Sequence, residues 1–177
     1  MTGGNVAVRS AALAACLMAL GSSAHAGETL AIFPIEMTMP TSEEDFFRGT
    51  TGPSPDEKRR LALAEADLKQ RLGADGRYEI VDLAPLAEEI AQARPIQDCN
   101  GCEVGLATKA KAAVALTSVV HKISETHLSL TVVMIDVAQR KLLSTSNVLI
   151  QGNTDDSWLH GVRWLVRNRL LAKDEPK

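Results

Sequence analysis

The amino-acid sequence predicts one α/β (α+β) domain, in which helices pack on a mixed β-sheet of about five strands. The predicted order of elements is β-α-β-α-α-β-β-β-α. Three observations lead to this fold: an apolar strand signal soon after residue 27, a capped amphipathic helix, and three β-branched runs with short polar connections. The composition, with 45% hydrophobic and 23% charged residues, is typical of a globular domain.

The first strand is predicted over residues 29–37 (TLAIFPIEM). Apolar side chains alternate onto both faces, with Ala31, Phe33 and Ile35 on one side and Leu30 and Ile32 on the other. This pattern indicates a strand that is buried on both faces. Pro34 has no N–H group, so we expect the strand to be bulged, or its pairing to end, near this residue.

The first helix is predicted to begin at Ser54-Pro55-Asp56-Glu57, where the serine is the N-cap and the glutamate closes a capping box. An apolar stripe follows at Leu61, Ala64, Leu68 and Leu72. Gly73 is the predicted end of the helix.

The middle of the chain predicts short elements. Residues 77–83 (RYEIVDL) form the second predicted strand, and residues 84–93 form a short helix that stops before Pro95. An Asn100-Gly101 turn then leads into a helix from about Cys102 to Lys111.

Residues 113–123, 127–137 and 141–150 are three β-branched runs that predict an antiparallel meander. The second half of the middle run is apolar on both sides, which favours a central position. The last helix is predicted from near Thr154 to about Leu171. Its predicted buried face contains Trp158, Val162, Leu165 and Leu170.

Residues 1–26 have the pattern of a secretory signal peptide, which leaves residues 27–177 as a single domain. The only charge before the apolar run 10–20 is Arg9, and Ala24-His25-Ala26 provides a cleavage pattern. We therefore expect Gly27 to be the mature N-terminus and the protein to be periplasmic. No membrane span is expected after cleavage, because crossing a bilayer takes about 20 apolar residues.

A second interpretation of the leader is a lipobox at Leu13-Ala14-Ala15-Cys16, whose cysteine would be acylated. Two features oppose it. Only six apolar or small residues separate Arg9 from Cys16, and the apolar stretch continues past Cys16 through Leu20. We therefore do not expect a lipoprotein.

Cys99 and Cys102 form a CxxC motif, and in an oxidising compartment so close a pair is first a candidate disulfide. A redox dithiol is the alternative, because a thiolate at a helix N-terminus is stabilised by the helix dipole. The motif lies in mid-chain after two short helices, unlike the thioredoxin position. Zinc would need two further ligands, and His121, His127 and His160 have no ligand spacing, so no metal or cofactor is expected.

Two surface segments are candidate binding sites. Residues 38–54 form a long loop, and its unusual composition comes from Glu43, Glu44, Asp45, Phe46 and Phe47. Loops of more than about 12 residues are usually functional or mobile, so this loop is the candidate partner-binding segment. The alternative is that one phenylalanine joins the core and the acids are solvated.

The second candidate surface is on the last helix, where His160, Arg163 and Arg167 have the spacing i, i+3 and i+7. These side chains could receive an anion or an acidic partner. The alternative is that they are simply the solvated face of an amphipathic helix.

The order and spacing of several segments resemble an uncharacterised family of small secreted proteobacterial proteins. These segments are LAIFPI (30–35), RYEIVD (77–82), the turn CNGC (99–102), residues 130–136 and DDSW (155–158). That family is similar to the amino-terminal domain of TolB and to the periplasmic domain of the curli secretion protein CsgG. The resemblance covers nearly all of residues 27–177. It implies a mixed sheet with packed helices, and relatives that bind envelope partners rather than catalyse reactions. One departure is the turn at residues 138–141, which lacks the glycine usual in the family.

The expected function is therefore a non-catalytic periplasmic module that binds or assembles with envelope proteins. The formal charge of −3 and the 3% aromatic content argue against nucleic acid as a partner. No G-x-S-x-G, HExxH or P-loop motif occurs, so we expect no enzyme activity. The alternatives are a redox accessory that uses Cys99 and Cys102, or a small-ligand binder.

Overall fold

The computed structural model describes residues 27–40 and 52–172, which form a six-stranded mixed sheet with helices on both faces. The strands are β1 (Glu28–Ile32), β2 (Glu36–Thr38), β3 (Tyr78–Ile80), β4 (Val114–Lys122), β5 (His127–Asp136) and β6 (Lys141–Gln151). Their order across the sheet is β3-β1-β4-β5-β6, and β2 pairs with β4 beyond the end of β1. The predicted fold class is confirmed, with one more strand than expected.

Four α-helices cover the sheet in the described part of the chain. They are α1 (Pro55–Ala74), α2 (Ala87–Ala93), α3 (Cys102–Lys109) and α4 (Asp155–Leu165). Single 3-10 turns lie at Ala84–Leu86 and Ile96–Asp98, and a π-helical turn at Val166–Leu170 continues α4. No helix within these residues combines the length and the apolar character that crossing a membrane requires.

Pro34 divides the predicted first strand into β1 and β2, as its missing N–H group requires. Both pieces run parallel to β4: Ile32 pairs with Leu116, and Glu36 pairs with Val119. Between these two pairs the chain advances four residues from β1 to β2, but only three along β4. This extra residue reverses the alternation of side chains, as a bulge does.

The prediction for Ile35 was wrong for this reason. Ile35 packs in the same cluster as Leu30 and Ile32, whereas Ala31 and Phe33 belong to the cluster on the opposite face. The reversal also turns Glu36 toward the opposite face, where its side chain meets Arg94.

Helix α1 begins at the predicted capping box, in which Ser54 and Glu57 bond to each other's backbone N–H groups. The prediction that Gly73 ends the helix was wrong, because the helix continues to Ala74 and the residue with positive φ is Gly76. Gly73 instead allows close packing, since a Cβ there would lie 3.3 Å from Ile80 Cγ1.

The sheet separates two apolar clusters. On one face, α1 and α4 cover β1, β4, β5 and β6, and the cluster contains the predicted residues Trp158, Val162, Leu165 and Leu170. On the other face, α2 and α3 cover β1, β4 and the end of β5 near Ile135 and Val137. The second face of β6 and of the rest of β5 has no helix over it among the described residues.

The predicted meander is confirmed: β4, β5 and β6 pair antiparallel in sequence order. The turn between β5 and β6 uses Arg140 at φ 53°, so a non-glycine residue takes the left-handed position. A bulge lies near the start of β6, where Met134 pairs with Ser144 but Ile135 pairs with Leu142. Strand β6 is an edge of the sheet.

Candidate functional site

An open groove of about 610 Å³ runs beside β2, between α1 and the segment Arg94–Asp98. Strand β2 and the preceding Pro34 form its floor. The α1 side contributes Lys58, Leu61 and Glu65. The groove thus combines apolar surface with charges of both signs, which is the composition of a binding cleft.

Glu36 holds the Arg94–Asp98 side of this groove in place. Glu36 is only 6% exposed, and Arg94 Nε donates a hydrogen bond of 2.9 Å to Glu36 Oε1. The Gln97 N–H lies 3.5 Å from Oε2. Because a buried carboxylate requires such partners, Glu36 fixes the segment after α2 against β2.

The described residues next to both ends of the acidic and aromatic segment lie at the groove. Thr38 and Pro53 both line it, and they lie on either side of residues 41–51. The candidate partner-binding residues Glu43, Glu44, Asp45, Phe46 and Phe47 lie outside the described residues, as do Cys16 and the leader. The chain therefore leaves β2 and returns to α1 at this groove.

A buried ion pair supports the neighbouring end of the sheet. Lys122 Nζ lies 2.9 Å from Glu57 Oε1, and it also lies 2.6 Å from Glu125 Oε1. Burial raises the pKa of Glu57, but the hydrogen bonds from Lys122 and Ser54 outweigh it and lower the pKa to about 2. This pair joins the start of α1 to the end of β4.

The N-terminus of α4 is joined to α1 by a second group of polar contacts. Asp155 accepts hydrogen bonds from Nη1 and Nη2 of Arg59, at 2.6 and 2.9 Å, and from Arg60 Nε at 3.2 Å. The hydrogen bond from Arg59 lowers the pKa of Asp155. Asn153 accepts from Trp158 Nε1 at 3.0 Å. These contacts orient the two helices relative to each other.

Cys99 and Cys102 are joined in a disulfide, with a Cα–Cα distance of 5.6 Å. The bond spans the turn at Asn100 and Gly101, both at positive φ, and ends at the first residue of α3. Both cysteines pack against the apolar cluster under α2 and α3. Glu103 lies near them, within 4.8 Å between potential ligand atoms, but bonded sulfurs provide no thiolate for a metal. The disulfide therefore closes the turn that leads into α3.

The other predicted site residues are separate from the groove. His160 and Arg163 lie exposed on α4, and Arg167 lies exposed on the π-helical turn. His121 Nδ1 lies 2.6 Å from Thr38 Oγ1, and His127 bonds within its own turn. His121 pairs with Ser129 rather than with His127, so the hairpin does not place the two histidines opposite each other.

Sequence reasoning missed the Glu36–Arg94 pair. The available signal was a lone acid inside the apolar run 29–37, since a charge at such a position requires a partner. It also missed the pairing of Glu57 with Lys122, because the capping box alone accounted for the glutamate.

Three solved structures are similar to this chain. The LpoB C-terminal domain from Escherichia coli is 14% identical with a TM-score of 0.50, over 75% of this chain and 89% of that chain. The lipoprotein GNA1162 from Neisseria meningitidis is 16% identical with a TM-score of 0.49, over 83% and 99%. TolB from Acinetobacter baumannii is 12% identical with a TM-score of 0.41, over 82% and 28%.

No curated protein matches the chain. A family model, DUF3280, described as "Protein of unknown function (DUF2380)", matches residues 28–170. This match spans β1 to the π-helical turn after α4, and so includes the groove, the ion pairs and the disulfide. The chain therefore belongs to the DUF3280 family.

Proposed function

We propose that this protein is a non-catalytic binding module of the cell envelope, which is exported to the periplasm and holds a protein partner beside β2. The observation that carries the proposal is the groove of about 610 Å³, because Thr38 and Pro53 line it on either side of the acidic and aromatic loop. Loops positioned by a rigid scaffold are common binding sites.

The chemistry of the loop favours a basic partner. Glu43, Glu44 and Asp45 would attract it over long range, while Phe46 or Phe47 would serve as an apolar anchor. Lys58, which is exposed in the groove, would pair with an acid in the same partner. Since the attraction is electrostatic, association should slow as salt rises.

The leader and the disulfide support an envelope location. Disulfides persist in the periplasm and are rare in the cytosol. We propose cleavage after Ala26, which gives a mature chain that starts at Gly27. The intact mass of the periplasmic protein tests this. A lipid-modified Cys16, or an uncleaved chain, would contradict it.

Capture from a periplasmic extract with mass spectrometry tests the binding role. The expected result is one main protein, whose capture falls at least about tenfold when Phe46 and Phe47 become Ala, or when the three acids become Ser. Replacing Arg163 and Arg167 by Ser is the matched control on another exposed surface. If the control loses the partner and the loop variants retain it, the site lies on α4.

The redox alternative makes a different prediction. Replacing Cys99 and Cys102 by Ser should lower stability by about 2 kcal/mol or less, because the closed loop is short, and should leave capture unchanged. A reduction potential of roughly −120 to −270 mV, together with catalysis of thiol exchange, would instead support a redox accessory.

A further inference from the structure

Strand β6 is a long edge with little protection against pairing. It runs from Lys141 to Gln151 and pairs with β5 on one side, and no other strand within residues 27–40 and 52–172 pairs with it. Its sequence, KLLSTSNVLIQ, contains one charged residue, at the first position. Natural sheets usually protect such edges with charged side chains, prolines or a covering element.

Exposed apolar side chains are concentrated on the same strand. The large hydrophobic residues that are most exposed in the described part of the chain are Ile123, Leu142, Leu143 and Leu149, at 60%, 56%, 51% and 50%. All but Ile123 belong to β6. Leu142 and Leu149 are on the sheet face away from α4, because they pair with Ile135 and Ser129. The bulge places Leu143 beside Leu142.

The positions of these leucines are symmetric along the strand. Leu143 and Leu149 are equally distant from Ser146, so two copies of β6 that run antiparallel about Ser146 bring Leu149 of each copy opposite Leu143 of the other. Thr145 then lies opposite Asn147. Directly opposed side chains of this kind stabilise antiparallel pairs.

The charges at the two ends of β6 favour the same orientation. Arg140 and Lys141 precede the strand's apolar part, whereas Asp156 follows it at the start of α4 and is exposed, unlike Asp155, which is bonded to Arg59 and Arg60. Antiparallel pairing brings the basic end of one copy toward the acidic end of the other. Parallel pairing would bring like charges together, which costs free energy.

We propose that β6 is a self-association edge, on which a second copy of this chain adds its own β6 antiparallel about a two-fold axis at Ser146. The product is a dimer with one continuous sheet across both copies. Backbone hydrogen bonds supply the pairing, and the leucines on the uncovered face supply apolar contact. The groove beside β2 is on the other side of β4, so the dimer presents two copies of it.

The test is the molar mass of the exported protein by sedimentation equilibrium over a range of concentrations. A dimer is expected, and Leu149→Lys should raise its dissociation constant at least about tenfold, since two lysines enter the apolar contact. Ile123→Lys is the matched control, because it places the same charge on an equally exposed residue away from the edge. Equal melting temperatures of the two variants exclude misfolding as the cause.

A charge exchange tests the register. The double variant Thr145→Lys with Asn147→Lys, and the double variant Thr145→Glu with Asn147→Glu, should each be monomeric alone. Mixed together they should form a heterodimer, because opposite charges then lie across the pair. A wild-type monomer at high concentration, a dimer unaffected by Leu149→Lys, no heterodimer in the mixture, or a different protein bound along β6 would each overturn the proposal.

Discussion

Glu57 shows how one residue can serve both helix initiation and core packing. It accepts the Ser54 N–H at 2.9 Å as part of the capping box, while its other oxygen bonds Lys122 at 2.9 Å. The residue is only 2% exposed. A buried carboxylate without these partners would carry a large desolvation cost, so the pairing is what allows the glutamate to be buried.

The first prediction concerns pH. Because the pKa of Glu57 falls from 4.5 in the unfolded chain to about 2 in the folded one, its ionised form stabilises the fold above pH 4.5. This contribution, about 3 kcal/mol, should disappear as pH falls through about 2. Glu57→Gln should therefore lower the free energy of unfolding by about 3 kcal/mol at pH 7, and by much less at pH 2. Urea unfolding of the wild type and the variant at both pH values measures this difference in the free energy of unfolding.

Glu65→Gln is the control for this prediction. Glu65 lies on the same helix and pairs with Lys69 at 2.6 Å, but this is an i,i+4 pair near the surface. Its loss should cost about 0.5 kcal/mol or less. Equal losses for the two variants would show that the Glu57–Lys122 pair carries no special stability.

At the residue scale, the sequence predicts what depends on near neighbours. The capping box at Ser54 and Glu57 and the turn at Asn100 and Gly101 follow from local backbone chemistry, and both are confirmed. The partners of Glu36 and Glu57 do not follow, because Arg94 and Lys122 reach them only through the folded sheet.

Among the elements, α4 is notable for how closely it packs on β6. A Cβ added at Gly161 would lie 2.7 Å from Ile150 Cγ1, which is shorter than any normal contact. Ile150 is itself buried, so it has little room to move. Gly161 therefore sets the distance between helix and sheet.

The second prediction follows from this contact. Gly161→Ala should destabilise the protein by about 1–3 kcal/mol through overpacking, although alanine favours a helix by about 1 kcal/mol over glycine. Gly105→Ala in α3 is the matched control, since a Cβ added at Gly105 would have no atom within 4 Å. The free energy of unfolding of the Gly105→Ala variant should rise by up to about 1 kcal/mol. Thermal unfolding of the two variants distinguishes the effect of packing from that of helix propensity. If both substitutions stabilise the protein, the close contact at Gly161 is refuted.

At the element scale, periodicity predicted the helices and the meander well. Trp158, Val162, Leu165 and Leu170 have the spacing of one helix face and are buried, as expected. Pro34 predicted the interruption between β1 and β2, and the extra residue found there confirms it. The π-helical turn after Leu165 was not predicted.

At the scale of the whole molecule, residues 27–40 and 52–172 form one sheet with a separate apolar cluster on each face. Strand β1 contributes to both, because Leu30 and Ile32 face α1 and α4 whereas Ala31 and Phe33 face α2 and α3. Strand β4 does the same through Leu116 and Ala115. Because the two clusters share β1 and β4, unfolding of these strands exposes both clusters to solvent. The two faces should therefore unfold together.

The third prediction tests this coupling. Leu106 is a buried residue of α3, whereas both tryptophans, Trp158 and Trp164, belong to the cluster on the opposite face. Leu106→Ala should cost about 3 kcal/mol and lower the melting temperature by roughly 6–12 °C. Tryptophan fluorescence should report the same shift as far-UV circular dichroism, since the transition is cooperative.

Ile123→Ala provides the reference for this measurement, because the residue is largely exposed and its truncation should change stability by about 0.5 kcal/mol or less. An unchanged tryptophan transition in Leu106→Ala, together with an earlier loss of helical signal, would mean that α2 and α3 unfold as an independent layer. The wall of the groove at Arg94 would then be able to open while β2 stays paired with β4. A single shared transition would instead mean that this wall opens only when the whole sheet unfolds, as expected for a preformed binding surface.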